Sequence, residues 1–159
     1  MDDTLPKRKS PLHYPPSFRH DRSVIIYLTV CTSNRRPVLA NDSAFKILLE
    51  AWAKARGWLI GRFVIMPDHI HLFCAPESPD TVSLSRWVQY WKAIVSKNWI
   101  KPDDKPIWQK SYWDTQLRHG ESYRTKWLYV RQNPVRANLC EDPDTWPYQG
   151  EINVLRWRE

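Results

Sequence analysis

Four runs of β-branched and aromatic residues along the chain have the pattern of β-strands. They cover residues 23–32 (SVIIYLTVCT), 58–67 (WLIGRFVIMP), 69–76 (HIHLFCAP) and 111–119 (SYWDTQLRH). Proline, glycine or polar residues lie next to these runs, as is typical of strands that end in turns. We therefore predict four strands, with the second and third joined by a short turn at Pro67 and Asp68.

Three further segments have apolar residues at three- and four-residue spacing, which predicts amphipathic helices. These segments are residues 43–56, 80–99 and 121–133. Asn41 or Asp42 can cap the first helix, because either side chain can accept a hydrogen bond from a free N–H of the first turn.

The order strand, helix, strand, strand, helix, strand, helix indicates an α+β fold. We predict a ferredoxin-like, four-stranded antiparallel sheet with two helices on one face and an added C-terminal helix that carries Tyr129. The proline-rich, charged residues 1–23 predict a basic extended arm. Residues 24–137 then form the folded domain, and residues 138–159 form a polar tail that contains tryptophan.

The composition fits one domain without a membrane segment. The chain has 159 residues, of which 42% are apolar, and this is enough for one core but little for two. No apolar run approaches the roughly 18 residues that cross a bilayer, and the N-terminus lacks the apolar centre of a signal peptide. The three cysteines lie far apart, which favours neither a disulfide framework nor a zinc ribbon. We expect a cytoplasmic protein that does not bind membranes.

The net charge of the chain indicates a class of binding partner. The formal net charge of +7 favours anionic molecules, of which nucleic acid is the commonest. Several of the ten tryptophans stand next to basic residues, as in Arg86-Trp87 and Lys126-Trp127. Aromatic rings among cations can stack on unpaired bases. The alternative, which we expect for the helical tryptophans, is that they fill the core.

Two histidines, His69 and His71, fall in the third predicted strand. Side chains alternate along a strand, so both imidazoles share a face with Phe73, while Ile70 and Leu72 take the other. Neutral imidazole binds divalent metals, and two such ligands with a third group leave open positions for a phosphate. The alternative is that both histidines bond only to neighbours or face solvent.

The third predicted helix has a tyrosine at the centre of its polar face. Helical geometry places Tyr129 near Lys126, Asn133 and Arg136, and places Trp127 on the apolar side. A phenol needs a metal, a cation or a base to attack phosphorus at neutral pH. Asn133 lies one turn after Tyr129, where its amide oxygen can reach a metal in front of the phenol. The alternative is an ordinary helix surface.

Three blocks in this order resemble the HUH endonucleases with a single catalytic tyrosine, and among these the REP-associated tyrosine transposases. VIMPDHIHLF resembles the family's strand-borne histidine pair, IWQKSYWDTQLR its block before the last helix, and YVRQNPVRANL its tyrosine helix. The likeness runs from about residue 23 to residue 139. It implies an enzyme that nicks and rejoins single-stranded DNA at repeated extragenic palindromes through a 5′-phosphotyrosine intermediate.

The resemblance also implies roles for individual residues. Tyr129 would be the nucleophile, and His69, His71 and Asn133 would hold a divalent metal, Mg²⁺ or Mn²⁺, that polarises the scissile phosphate. Glutamine stands at the position of Asn133 in related transposases, and both side chains offer an amide oxygen. Related enzymes pair their active sites across a dimer, but the sequence has no clear interface stripe, so monomer and homodimer stay open.

Single-stranded or hairpin DNA is the partner that the resemblance implies. The candidate DNA-contacting residues are Arg19, Arg22, Arg35, Arg36, Lys126 and Arg136. Two other functions stay open. One is a single-stranded nucleic-acid-binding module of ferredoxin-like fold without catalysis, and the other is a small metal-dependent hydrolase in which Asp114 joins the two histidines.

Overall fold

A computed structural model describes residues 24–118 and 122–156 of the chain. Its helices and strands, in chain order, are β1 (Ile26–Cys31), α1 (Asp42–Lys54), β2 (Trp58–Ile65), β3 (His69–Pro76), α2 (Leu84–Asn98), β4 (Trp113–Gln116), α3 (Tyr123–Val130), α4 (Asn133–Arg136) and β5 (Gln149–Glu151). The four predicted strands and three predicted helices are all present. Within these two ranges no helix has the length and apolar content needed to pass through a bilayer.

The five strands form one antiparallel sheet in the order β4-β1-β3-β2-β5. The predicted α+β, ferredoxin-like fold is therefore confirmed, but the predicted number of four strands is wrong by one. The additional strand, β5, comes from the predicted tail and pairs with the outer edge of β2. Its three residues carry no apolar repeat, so the hydrophobic pattern did not indicate it.

Local hydrogen bonds set the helix starts. Asn41 rather than Asp42 caps α1, since its side-chain oxygen accepts the Ala44 N–H at 2.9 Å. Ser83 caps α2 by accepting the Arg86 N–H at 3.2 Å. This cap explains why α2 begins at Leu84 and not near residue 80 as predicted.

The third predicted helix is divided in two. It runs as α3 to Val130, and the chain continues through Arg131 and Gln132 into the four-residue α4, which begins at Asn133. Pro134 has no N–H to extend the first helix, so a short break before it is physically expected.

One face of the sheet packs against α1 and α2 and forms the larger core. The buried tryptophans Trp52, Trp87 and Trp91 fill it with edge-to-face contacts, at 5.9 Å between the ring centres of Trp52 and Trp91 and 6.2 Å between those of Trp87 and Trp91. These helical tryptophans therefore serve the core, as expected, and are not stacking platforms for nucleic acid.

The opposite face packs against α3 and forms a second, smaller core. Tyr123, Trp127 and Val130 of α3 lie against Phe73 of β3 and Val64 of β2. The ring centres of Phe73 and Tyr123 are 4.9 Å apart. The helix that carries Tyr129 therefore covers the same sheet face as Phe73.

Candidate active site

The two histidines of β3 lie on the sheet face that α3 covers. The side chains of Ile70, Leu72 and Cys74 pack into the larger core, while Phe73 packs into the smaller one. His69 and His71 alternate with the first group and so share the face of Phe73. Both imidazoles are buried, so they face a covering element and not bulk water.

The two imidazoles converge through their Nε2 atoms, which are 3.1 Å apart. Two histidine nitrogens bound to one metal at about 2.1 Å, with an angle of about 90 to 109° between the bonds, lie about 3.0 to 3.4 Å apart. The separation therefore fits a pair of ligands to one ion. It equally fits a single hydrogen bond between the rings.

An acidic residue contacts the His69 ring nitrogen that does not face His71. Its Nδ1 lies 2.7 Å from Oδ1 of Asp68, and Oδ2 of the same carboxylate accepts a hydrogen bond from Nε of Arg35 at 2.9 Å. Burial alone raises the pKa of Asp68, but the hydrogen bonds and charges of His69 and Arg35 outweigh burial and lower it to about 2. Asp68 is therefore an ionised acceptor at neutral pH.

Arg35 reaches this carboxylate from a strained backbone position. Its φ angle is +54°, as is that of Asn34 before it, and the left-handed region is uncommon for a side chain as large as arginine. Such strain costs about 1 to 3 kcal/mol and is commonly found where a functional site depends on one side-chain position. Here the position places the guanidinium beside Asp68 and His69.

Two hydroxyl groups of β1 contact the His71 ring nitrogen that does not face His69. Its Nδ1 lies 2.7 Å from the Tyr27 hydroxyl and 3.0 Å from the Thr29 hydroxyl. Strand register explains both contacts, because Thr29 is the direct partner of His71 in the β1–β3 ladder and Tyr27 is the partner of Phe73. Burial raises the pKa of Tyr27 to about 12, so it remains a neutral phenol.

Electrostatics keep His71 neutral. Burial lowers the pKa of His71 well below its usual value, and the neighbouring His69 and the positive charges of Arg136, Arg35 and Lys126 lower it further. A neutral imidazole has the lone pair that a metal ligand needs. The same cations make the surroundings attractive to a phosphate.

A bulge in β2 anchors the helix that carries Tyr129. The β2–β3 register shifts between Ile60 and Phe63, and the N–H of Arg62 in this bulge donates to the Tyr123 hydroxyl at 2.9 Å. A Cβ atom on Gly61 would lie 2.6 Å from that hydroxyl oxygen. The absence of a side chain at position 61 therefore lets the start of α3 sit directly on the strand.

Tyr129 lies on the outer side of α3, as predicted, and is 61% exposed. The guanidinium of Arg136 lies 4.2 Å from the centre of its ring and donates to the Tyr129 carbonyl at 2.9 Å. Burial has the largest influence on the pKa of both His71 and Tyr27, and the nearby charge of Arg136 lowers the pKa of both groups. The tyrosine, its cation and the histidine pair therefore belong to one neighbourhood on one face of the sheet.

Asn133 is buried next to this group. Its amide N–H donates to the Val130 carbonyl at 2.8 Å, and its Oδ1 accepts from Arg136 at 3.0 Å. An amide oxygen has two lone pairs, so one acceptor site remains on Oδ1. Among the described residues no third histidine, cysteine, aspartate or glutamate joins His69 and His71 in a metal-binding group. The contact with Arg136 links the Asn133 amide oxygen to the cation that acts on His71.

Asp114 lies on the other face of the sheet. Its partner in the β1–β4 ladder is Leu28, which packs into the core under α1 and α2. The Asp114 charge also raises the pKa of Cys74 and Tyr112, which belong to that same core. The sheet therefore separates Asp114 from the two histidines, which argues against a hydrolase site built from these three residues.

The predicted DNA-contacting residues have different surroundings. Lys126 lies over the Tyr27 ring at 5.1 Å, so it joins Arg35 and Arg136 around the histidines. Arg36 instead donates to the backbone carbonyls of Asp103, Asp104 and Pro106 and holds that loop. The two arm residues, Arg19 and Arg22, lie outside the described residues.

The sequence of this chain matches the profile of the family described as "Transposase IS200 like" over residues 22–131. The chain belongs to this family. Membership places it among DNA-processing enzymes, and the matched range includes His69, His71 and Tyr129 and ends before Asn133. The sequence-based interpretation of the three blocks thereby gains independent support.

Two individual proteins extend the family match. The REP-associated tyrosine transposase of Escherichia coli (strain K12) is 29% identical over 126 residues, which is 77% of this chain and 73% of that protein. A solved structure of a REP-associated tyrosine transposase bound to a REP hairpin has a TM-score of 0.73 at 23% identity, over 89% of this chain and 82% of that one. The predicted resemblance is confirmed, and the second likeness shows the shared fold.

Three residues of the site were not predicted as functional. Asp68 precedes the histidine pair, and its place in a turn was the only role assigned to it. Tyr27 and Thr29 alternate on β1, so their common face was predictable. Which residues of another strand they would meet depends on the β1–β3 register, and no local signal gives that register.

Proposed function

We propose that this chain cleaves and rejoins single-stranded DNA at hairpin-forming palindromes, with Tyr129 as the nucleophile. The observation that carries the proposal is the pair of Nε2 atoms 3.1 Å apart on the sheet face covered by the Tyr129 helix. Family membership supports the reaction class, and the relative bound to a REP hairpin supports the substrate.

His69, His71 and the Asn133 amide oxygen would hold a divalent cation, Mg²⁺ or Mn²⁺. Such an ion, when bound, withdraws charge from a non-bridging oxygen of the scissile phosphate. Two neutral imidazoles and one amide oxygen form a donor set that suits several divalent metals, so cellular availability helps decide the ion.

The Tyr129 oxygen would attack phosphorus in line with the departing 3′ oxygen. The bond from tyrosine to phosphorus forms as the bond to the 3′ oxygen breaks, leaving a 5′-phosphotyrosine and a free 3′-hydroxyl. Arg136 over the Tyr129 ring and Lys126 over the Tyr27 ring would supply positive charge where negative charge develops. Because the phosphodiester energy is kept in the covalent link, a 3′-hydroxyl can reverse the reaction and join strands.

The DNA would bind through backbone charge together with unpaired bases. Lys126, Arg136 and Arg35 are the cations that surround the histidine pair. Binding should therefore weaken steeply as salt increases, and a fully paired duplex of the same sequence should bind less well than the hairpin with its single-stranded flank.

The test is end-labelled cleavage by the full chain with Mn²⁺. A label at the 3′ end of a single-stranded hairpin substrate should become attached to the protein, while a label at the 5′ end should leave on a shorter fragment that ends in a 3′-hydroxyl. Tyr129→Phe should abolish both products. Tyr90→Phe is the matched control, because Tyr90 is similarly exposed, at 55% against 61%, but lies on α2.

Equal adduct formation by Tyr129→Phe and the wild type would exclude Tyr129 as the nucleophile. Hairpin binding that is unchanged by chelator and by Tyr129→Phe, with no adduct from either protein, would instead favour the non-catalytic binding module.

A further inference from the structure

Different groups hold the two histidines, a carboxylate at His69 and two hydroxyls at His71; what this means for metal binding rests on the proposed function. We propose that Asp68 is a positioning residue that fixes His69 with its proton on Nδ1, and that His71 changes tautomer through the Tyr27 and Thr29 hydroxyls when a metal ion binds.

The Asp68 carboxylate determines the tautomer of His69. The Asp68 carboxylate lies 2.7 Å from Nδ1, and because a carboxylate only accepts hydrogen bonds, this separation is favourable only if Nδ1 carries a hydrogen. Arg35 also approaches Nδ1, at 3.4 Å, but this contact is long, and Arg35 has a better acceptor in Asp68 at 2.9 Å. When the ring carries its hydrogen on Nδ1 alone, the Nε2 atom of His69 presents a lone pair to the point it shares with His71.

The Asp68 backbone is itself fixed. The Thr32 N–H and the Thr32 hydroxyl both donate to the Asp68 carbonyl, at 3.0 and 3.1 Å, and the Leu39 N–H donates to the Pro67 carbonyl at 2.9 Å. The turn before β3 thus holds the carboxylate at one place. A rigid support of this kind is what a residue that orients a metal ligand requires.

The hydrogen-bond partners of His71 allow either tautomer of its ring. Without an ion between them, two Nε2 atoms 3.1 Å apart must share one proton. Since the Nε2 of His69 is the acceptor, that proton belongs to His71. The Nδ1 of His71 then accepts from Tyr27 at 2.7 Å or Thr29 at 3.0 Å.

With an ion between them, both Nε2 atoms must present lone pairs, and His71 must carry its proton on Nδ1. A hydroxyl group both donates and accepts, so Tyr27 and Thr29 serve either tautomer, whereas a carboxylate only accepts. The ring gives one proton to solvent from Nε2 and takes one up at Nδ1. It stays neutral, and no net proton is released.

Nitrogen-15 NMR of the histidine side chains in the full chain at pH 7.5 tests both parts. Before metal is added, His69 should show a hydrogen on Nδ1 and His71 a hydrogen on Nε2. Addition of Zn²⁺, a diamagnetic probe, should leave the Nδ1–H of His69 in place and move the hydrogen of His71 to Nδ1. A metal-free His69 that carries its hydrogen on Nε2 alone overturns the role of Asp68, and one that carries hydrogens on both nitrogens overturns the exchange at His71. A His71 that already carries Nδ1–H overturns the exchange.

Asp68→Asn makes the test specific. The amide has one oxygen where the carboxylate has two, and Arg35 attracts that oxygen, so the NH₂ group turns to the Nδ1 of His69. His69 should then move its hydrogen to Nε2, and Mn²⁺ affinity measured by electron paramagnetic resonance should fall about 10- to 100-fold. Asp80→Asn, at an exposed position, should change neither reading.

The two proposals fail separately. An unchanged His69 tautomer and unchanged Mn²⁺ affinity in Asp68→Asn overturn the positioning role while leaving the proposed function intact. A wild type that binds neither Zn²⁺ nor Mn²⁺ overturns the proposed metal site and the His71 exchange, whereas the Nδ1–H of His69 in the same sample still supports the role of Asp68. If Asp68→Asn does not fold, the wild-type spectra alone decide.

Discussion

The two faces of the sheet are built from the same strands and differ in character. Under α1 and α2 the residues are almost entirely apolar, and the Trp91 ring contacts those of Trp52 and Trp87. Under α3 the same strands present a smaller apolar cluster and, in addition, imidazoles and hydroxyls with cations around them. Period-two alternation lets one strand serve a dry core and a polar site at the same time. The comparison teaches that stability and chemistry can be altered separately at neighbouring positions.

Neighbouring substitutions in β3 give the largest expected difference. His71→Ala should lower the cleavage rate about a thousandfold or more, equivalent to about 4 kcal/mol, because a metal ligand is lost. Leu72→Ala should lower the free energy of unfolding by about 2 to 5 kcal/mol through the cavity it leaves, with little effect on the rate per folded molecule. Urea unfolding and cleavage assays of both variants measure this. If the two variants lost cleavage rate to a similar extent at an equal folded fraction, stability and chemistry could not be altered separately on the two faces.

Gly61→Ala tests how closely α3 must sit on the sheet. The added Cβ would meet the Tyr123 hydroxyl and the Leu155 side chain, both at 2.6 Å, so the start of α3 must move. We expect a loss of about 1 to 3 kcal/mol in the free energy of unfolding, together with slower cleavage because Tyr129 moves with the helix. Gly150→Ala is the control, since its Cβ would meet only the Phe63 ring at 3.2 Å. A cleavage rate of Gly61→Ala equal to that of the wild type would show that Tyr129 can act after the start of α3 has moved.

Lys92 is a buried cation on the apolar face, and replacing it tests how much its charge costs in stability. Burial lowers its pKa from 10.5 to about 8, and its Nζ donates to the Gln109 carbonyl at 2.8 Å. Below pH 8 the folded state must hold a poorly solvated ammonium; between pH 8 and 10.5 the unfolded state binds more protons, so the contribution to stability rises with pH.

Lys92→Met should therefore raise the free energy of unfolding by about 1 to 2 kcal/mol at pH 7, and the gain should shrink as pH rises from 8 towards 10. Urea unfolding of variant and wild type at pH 7, 8.5 and 9.5 measures it. A gain that does not change with pH would come from packing and not from the charge.

Asp114→Asn gives the smallest expected effect on the site. Its position on the core face predicts Mn²⁺ affinity and adduct formation close to those of the wild type, in contrast to Asp68→Asn. Manganese titration of the two variants side by side provides the comparison. A loss of affinity as large as that of Asp68→Asn would restore Asp114 to the metal site.

Much of this architecture was predictable from local signals. The alternation in HIHLFCAP placed His69 and His71 on the face away from Ile70 and Leu72, and the helical period placed Tyr129 opposite Trp127. Both predictions agree with the burial of these residues. Short-range order of this kind depends only on backbone geometry, which each segment carries in its own sequence.

Other features were not predictable for equally physical reasons. The strand β5 has no apolar repeat and forms because the edge of β2 offers it hydrogen bonds. The distance between Asp114 and the histidines in the sequence says nothing about which sheet face they occupy. The bulge at Gly61 matters because of a helix and a side chain, Tyr123 and Leu155, that come some sixty and ninety residues later.

By itself the sequence determined the elements, the faces of their side chains, the family likeness and the residues able to act on a phosphate. Only the tertiary structure decided what stands behind those residues: Asp68 and Arg35 behind His69, and two β1 hydroxyls behind His71. The reason is that alternation and helical period are properties of a single segment. Hydrogen bonds between segments depend on strand register and on the turn before β3, which are set when the whole sheet packs.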